Sequence, residues 1–177
     1  MALVNHQSPR SGYIARLRLA GIPLFIHWSF PVGGLLVVIF LGDFSPAAVL
    51  SAIVAYTTLV AVHELGHAVL ARRAGVEVHA LVITAIGGLC FFDPPPAAID
   101  RLLIASGGLL AQLAVFGLTL GVVALSGDIT SPVVNGFVVV FTLFNAILFF
   151  GNLIPHRYND GSMIFKALRD LRRRGSA

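Results

Sequence analysis

Charged side chains are scarce in this chain: they make up 11% of its 177 residues, against about 25% in a soluble globular domain. That shortage excludes an ordinary water-soluble fold. With 57% hydrophobic residues and a mean hydropathy of +0.90, the balance is that of a polytopic membrane protein. Cysteine occurs once, at Cys90, which excludes an intrachain disulfide and a thiolate-based metal site. A lone cysteine in such a chain reads as a small buried apolar residue. Repeats, long linkers and a second soluble domain are also missing. The net charge is +4 and the pI is near 10.0. In so apolar a chain the basic residues orient it in a bilayer, and nucleic acid is not expected as a partner.

The expected fold class is an all-α membrane protein with about four transmembrane helices, a short membrane-associated β segment at residues 76–92 and a C-terminal surface helix. The spans are placed at about 23–41, 47–70, 100–125 and 133–153, all within one domain, 1–177. The basic stretch before the first span lacks a small-residue cleavage site after it, so it is expected to be retained. Trp28 suits an interfacial anchor, and Pro31 and Gly33-Gly34 are tolerated in membrane helices. Pro46 suits a first helical turn and Gly75 a helix stop. Residues 76–92 are rich in β-branched side chains and broken by Gly87-Gly88, a strand–turn–strand pattern. Pro94, Pro95 and Pro96 in succession force irregular backbone. From Ser162 to Arg174, apolar residues alternate with basic ones, as in a helix lying along a membrane surface.

The distribution of charge gives this topology a direction. With the N-terminus inside, the inner segments are 1–22, 72–101 and 154–177, and all 12 Lys and Arg residues fall within them. The outer loops, near Asp43 and near Gly127-Asp128, hold none, as the positive-inside rule requires. Both termini are therefore expected to be cytoplasmic.

Within the second span lies His63-Glu64-Leu65-Gly66-His67. On a helix, positions i and i+4 share a face, so both imidazoles can reach one metal ion. The intervening carboxylate can take a proton from water whose pKa the metal lowers to about 7, the zinc-hydrolase arrangement. His63 lies nine residues before Arg72, or about 14 Å along the helix from the inner boundary. Three ionisable groups in five positions at such depth are costly, which argues against a packing role.

A catalytic zinc needs a third protein ligand. His6, His27, His79, His156 and the acids are candidates. Asp160 stands out, because Pro155 ends the last span and Asn159 and Gly161 permit a turn, which puts it on a short non-helical segment at the inner end. Asn145 and Asn152 are seven residues apart and project from nearly one face, either as a polar lining or, for Asn145, as interhelical glue.

These motifs resemble those of the site-2 proteases, a family of intramembrane zinc metalloproteases. The resemblance is carried by His63-Glu64-Leu65-Gly66-His67 and by Asn152-x-x-Pro155-x-x-x-x-Asp160-Gly161. Gly21-Ile22-Pro23 through Phe30 and Gly87-Gly88 extend it. It implies one zinc ion per chain with His63, His67 and Asp160 as ligands, Glu64 as general base and Asn152 as a stabiliser of the oxyanion. It implies a transmembrane protein substrate, cleaved near the cytoplasmic face of a prokaryotic cell membrane in regulated intramembrane proteolysis. The β segment would offer an edge to an unwound substrate. The chain departs from the family pattern at Gly108, where proline is common, at Gln112, where asparagine is common, and at Ser162, where a second glycine follows Asp-Gly. The PDZ and CBS modules of many relatives find no room here.

Two other classes fit the same composition. One is an inactive relative that binds membrane proteins. The other is a metal transporter, which needs acceptor groups leading to both faces, and the outer halves of the spans hold almost none.

Overall fold

A computed structural model describes residues 12–40, 45–127, 129–156 and 159–174. His6, the loop at Asp43, and Asp128 and Arg157 lie outside the described residues.

The chain opens with two strands, β1 (Tyr13–Leu19) and β2 (Ile22–His27), paired antiparallel with Leu19 opposite Ile22. Ala20 (φ 50°) and Gly21 (φ 77°) make the two-residue turn between them, and left-handed backbone at both turn positions matches the natural twist of a hairpin. Helices α1 (Phe30–Phe40) and α2 (Pro46–Arg73) follow, then strands β3 (Val78–Thr84) and β4 (Gly87–Phe92). The sheet order is β1-β2-β3-β4, and β2 pairs parallel with β3 through Leu24–Leu81 and Ile26–Ile83. Parallel neighbours need a long crossover, and α1 with α2 supplies it. Helices α3 (Ala98–Ser126), α4 (Pro132–Leu153) and α5 (Asp160–Arg174) complete the chain. A π-helical turn, Val140–Phe144, interrupts α4.

Helix α2 is the axis of the fold. Ser45 caps its start by accepting a hydrogen bond from the Ala48 amide at 3.3 Å, with Pro46 in the first turn. At its end Gly75 adopts φ 72°, the Gly75 amide donates to Arg72 O, and the Val76 amide donates to Ala71 O at 2.9 Å. That is a Schellman stop, for which glycine is the favoured residue. Small residues let the neighbouring helices approach. A Cβ on Gly66 would run into the Gly107 carbonyl of α3, and one on Gly136 of α4 would run into Ser51 and the Ala48 carbonyl. Such contacts are the usual glue of helices in lipid.

Among the described residues three helices, α2, α3 and α4, are long and apolar enough to cross a membrane. The expectation of an all-α chain with four such helices is corrected at its first span, 23–41. Residues 22–27 are strand and α1 has only 11 residues, about 16 Å against a hydrocarbon core of about 30 Å. The apolar run Ile22-Pro23-Leu24-Phe25-Ile26 was compatible with either structure, and the partner that selects the strand, β3, lies far along the chain. The strand–turn–strand expected at 76–92 is present as β3 and β4, with Ala85 and Ile86 at the turn. Leu81, Val82 and Ile83 of β3 are buried, and the hairpin runs alongside α2 to the level of Tyr56, whose hydroxyl donates to Ala85 O at 2.9 Å. Residues 93–97 are irregular around the three prolines. Arg101 at the start of α3 pairs with Asp170 of α5 at 2.9 Å, so α5 is held against the N-terminal end of α3.

Candidate active site and metal centre

The regular geometry of α2 places His63 and His67 one turn apart, and their Nε2 atoms are 3.1 Å from each other. Asp160, arriving from α5, sets Oδ2 3.1 Å from His63 Nε2 and Oδ1 3.3 Å from His67 Nε2. All three side chains are buried, and one donor atom from each lies within 4.8 Å of the others. Two nitrogen lone pairs and a carboxylate facing one another in a dry site repel unless a cation joins them. Tetrahedral zinc, with bonds of about 2.0–2.1 Å, separates its donors by about 3.3 Å. Asp160 Oδ2 is buried with no hydrogen-bond partner among the described residues, which leaves it available. The three residues fit a zinc ion.

The surroundings hold the donors in this arrangement. His67 Nδ1 lies 2.7 Å from the Ile104 carbonyl oxygen of α3, so it donates there and turns the Nε2 lone pair toward the cluster. Gly108 comes one turn later on α3, and a Cβ there would strike both imidazoles. Glu64 is buried, with Oε1 4.0 Å from His63 Nε2. Strand β4 lies directly on it, since a Cβ on Gly88 would meet the Glu64 side chain. Between α2, the β3–β4 hairpin and the C-terminal end of α4 is a cavity of about 250 Å³ whose walls include His63, Glu64, His67, Gly88, Asn152 and Asp160.

A zinc metalloprotease of Methanocaldococcus jannaschii is 30% identical over 161 residues, covering 88% of this chain and 45% of its own length. A Mycobacterium tuberculosis protein designated zinc metalloprotease Rip3 is 29% identical over 172 residues, covering 85% of this chain and 42% of its own. The solved structure of a site-2 protease from M. jannaschii matches with a TM-score of 0.69 and 26% identity, over 87% of this chain and 70% of that one. In sequence and in fold the chain is similar to the site-2 proteases. It spans less than half the length of the curated relatives it matches. A scan of family models returns no match.

Within this family fold, the expected site residues are brought together, with one change of setting. Asp160 is the first residue of α5 and is not on a non-helical segment. Asn159 caps that helix: its Oδ1 accepts from the Ser162 amide at 3.1 Å and from the His156 amide at 3.0 Å. Asn and Gly promote turns and helix starts by the same local chemistry, so a sequence cannot separate the two. Asn152 lines the cavity, whereas Asn145 does not. Asn145 Nδ2 donates to Gln112 O at 2.9 Å and to Phe141 O at 3.2 Å, which is the interhelical glue. The other histidines are elsewhere: His79 pairs with Asp93 at 2.9 Å, His27 lies 2.8 Å from Ser29 Oγ, and His156 is exposed. Cys90 is buried, and burial pushes its thiol well above the usual range.

Sequence reasoning missed the parts that position these groups. Ile104 acts through its main-chain carbonyl, which leaves no mark in a sequence. Tyr56 is another such residue, an apparent membrane-interior tyrosine that grips the hairpin turn. Ala85 is held at both ends, its carbonyl by Tyr56 and its amide by Ser29 Oγ at 3.2 Å, while Gly33 of α1 lets the Ala85 carbonyl pack close. That clamp fixes the hairpin whose next residues, Gly87 and Gly88, roof the cavity.

Proposed function

We propose that the chain is a zinc-dependent intramembrane endopeptidase that cleaves transmembrane segments of membrane proteins near the cytoplasmic face, in regulated intramembrane proteolysis. The observation that carries this reading is the convergence of His63, His67 and Asp160 beside Glu64, on a helix otherwise apolar enough to cross a bilayer. His63, His67 and Asp160 would hold the metal. When bound, zinc supplies Lewis acidity that lowers the pKa of a water to about 7 and polarises a peptide carbonyl.

Glu64 takes the proton of the attacking water and passes it to the leaving amide nitrogen. Asn152 directs its side-chain N–H at the oxyanion that develops on the carbonyl. Gly88 and the rest of β4 cover Glu64, excluding bulk water and offering an edge to which an unwound substrate pairs. His67 keeps its orientation through the Ile104 carbonyl.

The reading treats residues 1–177 as one domain of a prokaryotic cell membrane, with both termini cytoplasmic. All 12 basic residues lie in segments on one side of that topology. Strand β2 and helix α1 together cover about 36 Å, so a strand and a helix in series make the first crossing. The site then opens toward the cytoplasm, the side from which water reaches it.

The test is Glu64→Gln in purified chain reconstituted with a transmembrane-segment substrate. Zinc content should stay at one per chain while cleavage falls by about 10²–10⁴. An active Glu64→Gln chain would overturn the assigned base, and a parent chain that binds such segments without cutting them would be a binding module.

A further inference from the structure

Helix α5 packs along α3 and buries Met163 and Ala167. Its other side is uncovered: Phe165 is 60% and Leu168 41% exposed, and Lys166 and Arg169 are exposed beside them. At helical spacing these four side chains form one continuous face. No carboxylate interrupts it. Of the two acids in the helix, Asp160 joins His63 and His67, and Asp170 is held by Arg101 at 2.9 Å. Neither Lys166 nor Arg169 has an ion-pair partner among the described residues.

The depth of this face follows from α3 and rests on the membrane reading above. Helix α3 has 29 residues, about 43 Å against a hydrocarbon core of about 30 Å. Centred in the bilayer, it extends about four residues past each boundary. Arg101, its fourth residue, is therefore at the boundary, and Asp170 with it. Asp160 lies deeper, because its neighbour His67 bonds the Ile104 carbonyl and abuts Gly108, about 5–10 Å beyond Arg101. Helix α5 covers about 15 Å between Asp160 and Asp170, so it runs obliquely through the headgroup–acyl boundary. There Phe165 and Leu168 enter the acyl chains, while the long stems of Lys166 and Arg169 carry their charges out to phosphate. Cations without acids on such a face complement anionic headgroups. An acidic soluble protein would meet the cations but leave the two apolar side chains in lipid.

We infer that anionic phospholipid seats α5 through Phe165, Leu168, Lys166 and Arg169, and that this seating keeps Asp160 within reach of His63 and His67. Asp160 is the first residue of α5, so a shift of the helix is a shift of the carboxylate. The other restraints are modest: the burial of Met163 and Ala167, and a partly exposed ion pair that contributes little by itself. Lipid that favours the seated helix raises the fraction of chains whose three donors stand together, and metal affinity rises by the same factor.

The probe is a single tryptophan in bilayers of phosphatidylcholine and phosphatidylglycerol, one or the other brominated so that it quenches on contact. In a Trp28→Phe background the tryptophan is placed by Phe165→Trp or, as a reference at the far end of α3, by Leu125→Trp, a site 90% exposed. At 165 phosphatidylglycerol should be preferred by about five- to 25-fold, with no preference at 125. Lys166→Gln and Arg169→Gln should each lower the preference by about fivefold. Zinc affinity of the parent chain, by chelator competition, should be about fivefold higher with phosphatidylglycerol present than in phosphatidylcholine alone. The double variant should lose that gain. Equal quenching by the two lipids at 165, no quenching there, a preference unchanged in the double variant, or equal zinc affinity in the two bilayers overturns the proposal. Quenching at 125 tests the membrane reading separately: where it persists the chain is in the bilayer and only the seating of α5 fails, and where it is absent the membrane reading itself falls.

Discussion

Helix α2 and the neighbouring β2–α1 segment are of similar reach, about 42 Å and about 36 Å, but they satisfy their backbones differently. In α2 every interior N–H and C=O is paired within the helix, so the element depends on no neighbour for its shape. It can therefore hold two imidazoles at a fixed one-turn spacing in an apolar setting. Strand β2 leaves its ladder to β1 and β3, and so makes a sheet out of what would otherwise be a fourth helix. The self-sufficient element carries the chemistry. The dependent one brings a hairpin to Glu64 and fixes it there through Ala85.

If that division holds, damage to α2 should remove chemistry, and damage to the sheet side should blur placement. The largest effect is expected from His67→Ala: zinc lost by elemental analysis, and cleavage with it, by about a thousandfold or more. Gly108→Ala leaves every ligand in place but pushes a methyl group at both imidazoles. Zinc affinity should drop by about 10- to 100-fold in chelator competition, the range for disturbed support of metal ligands. Tyr56→Phe, a change on α2 that acts only on the sheet side, removes one grip on Ala85, worth about 1 kcal/mol. Amide exchange at Ala85–Gly88 should quicken by about fivefold, with zinc content unchanged and the cut spread over neighbouring bonds by mass spectrometry. The smallest effect should come from Ser45→Ala, which removes the α2 cap at its far end. It should cost about 0.5–1 kcal/mol of stability and leave the zinc stoichiometry alone. A Tyr56→Phe chain that lost zinc would dissolve the distinction.

The comparison also explains what could be read without coordinates. Helices α2, α3 and α4 were legible because a long uncharged run admits no other structure in lipid. His63 and His67 were legible because their spacing is local. Strand β2 was not, since its ladder is shared between β1, in a basic stretch with no strand pattern of its own, and β3, more than 50 residues away. Asp160 was found through its motif and its turn-forming neighbours, but its place at a helix start was not, because Asn159 serves both structures. Ile104, whose carbonyl orients His67, was beyond reach, since any residue supplies a carbonyl. Gln112 appeared as a departure from a pattern, and only packing shows it as a wall of the catalytic cavity.

The ion pair between Arg101 and Asp170 bears on when the site comes into being. A chain emerging from the ribosome delivers His63, Glu64 and His67 with its second helix, nearly a hundred residues before Asp160. Until α5 has been made and Asp170 has found Arg101, the growing chain carries two imidazoles and a base but no third donor. The three-donor cluster is thus among the last parts of the fold to be completed as the chain is made.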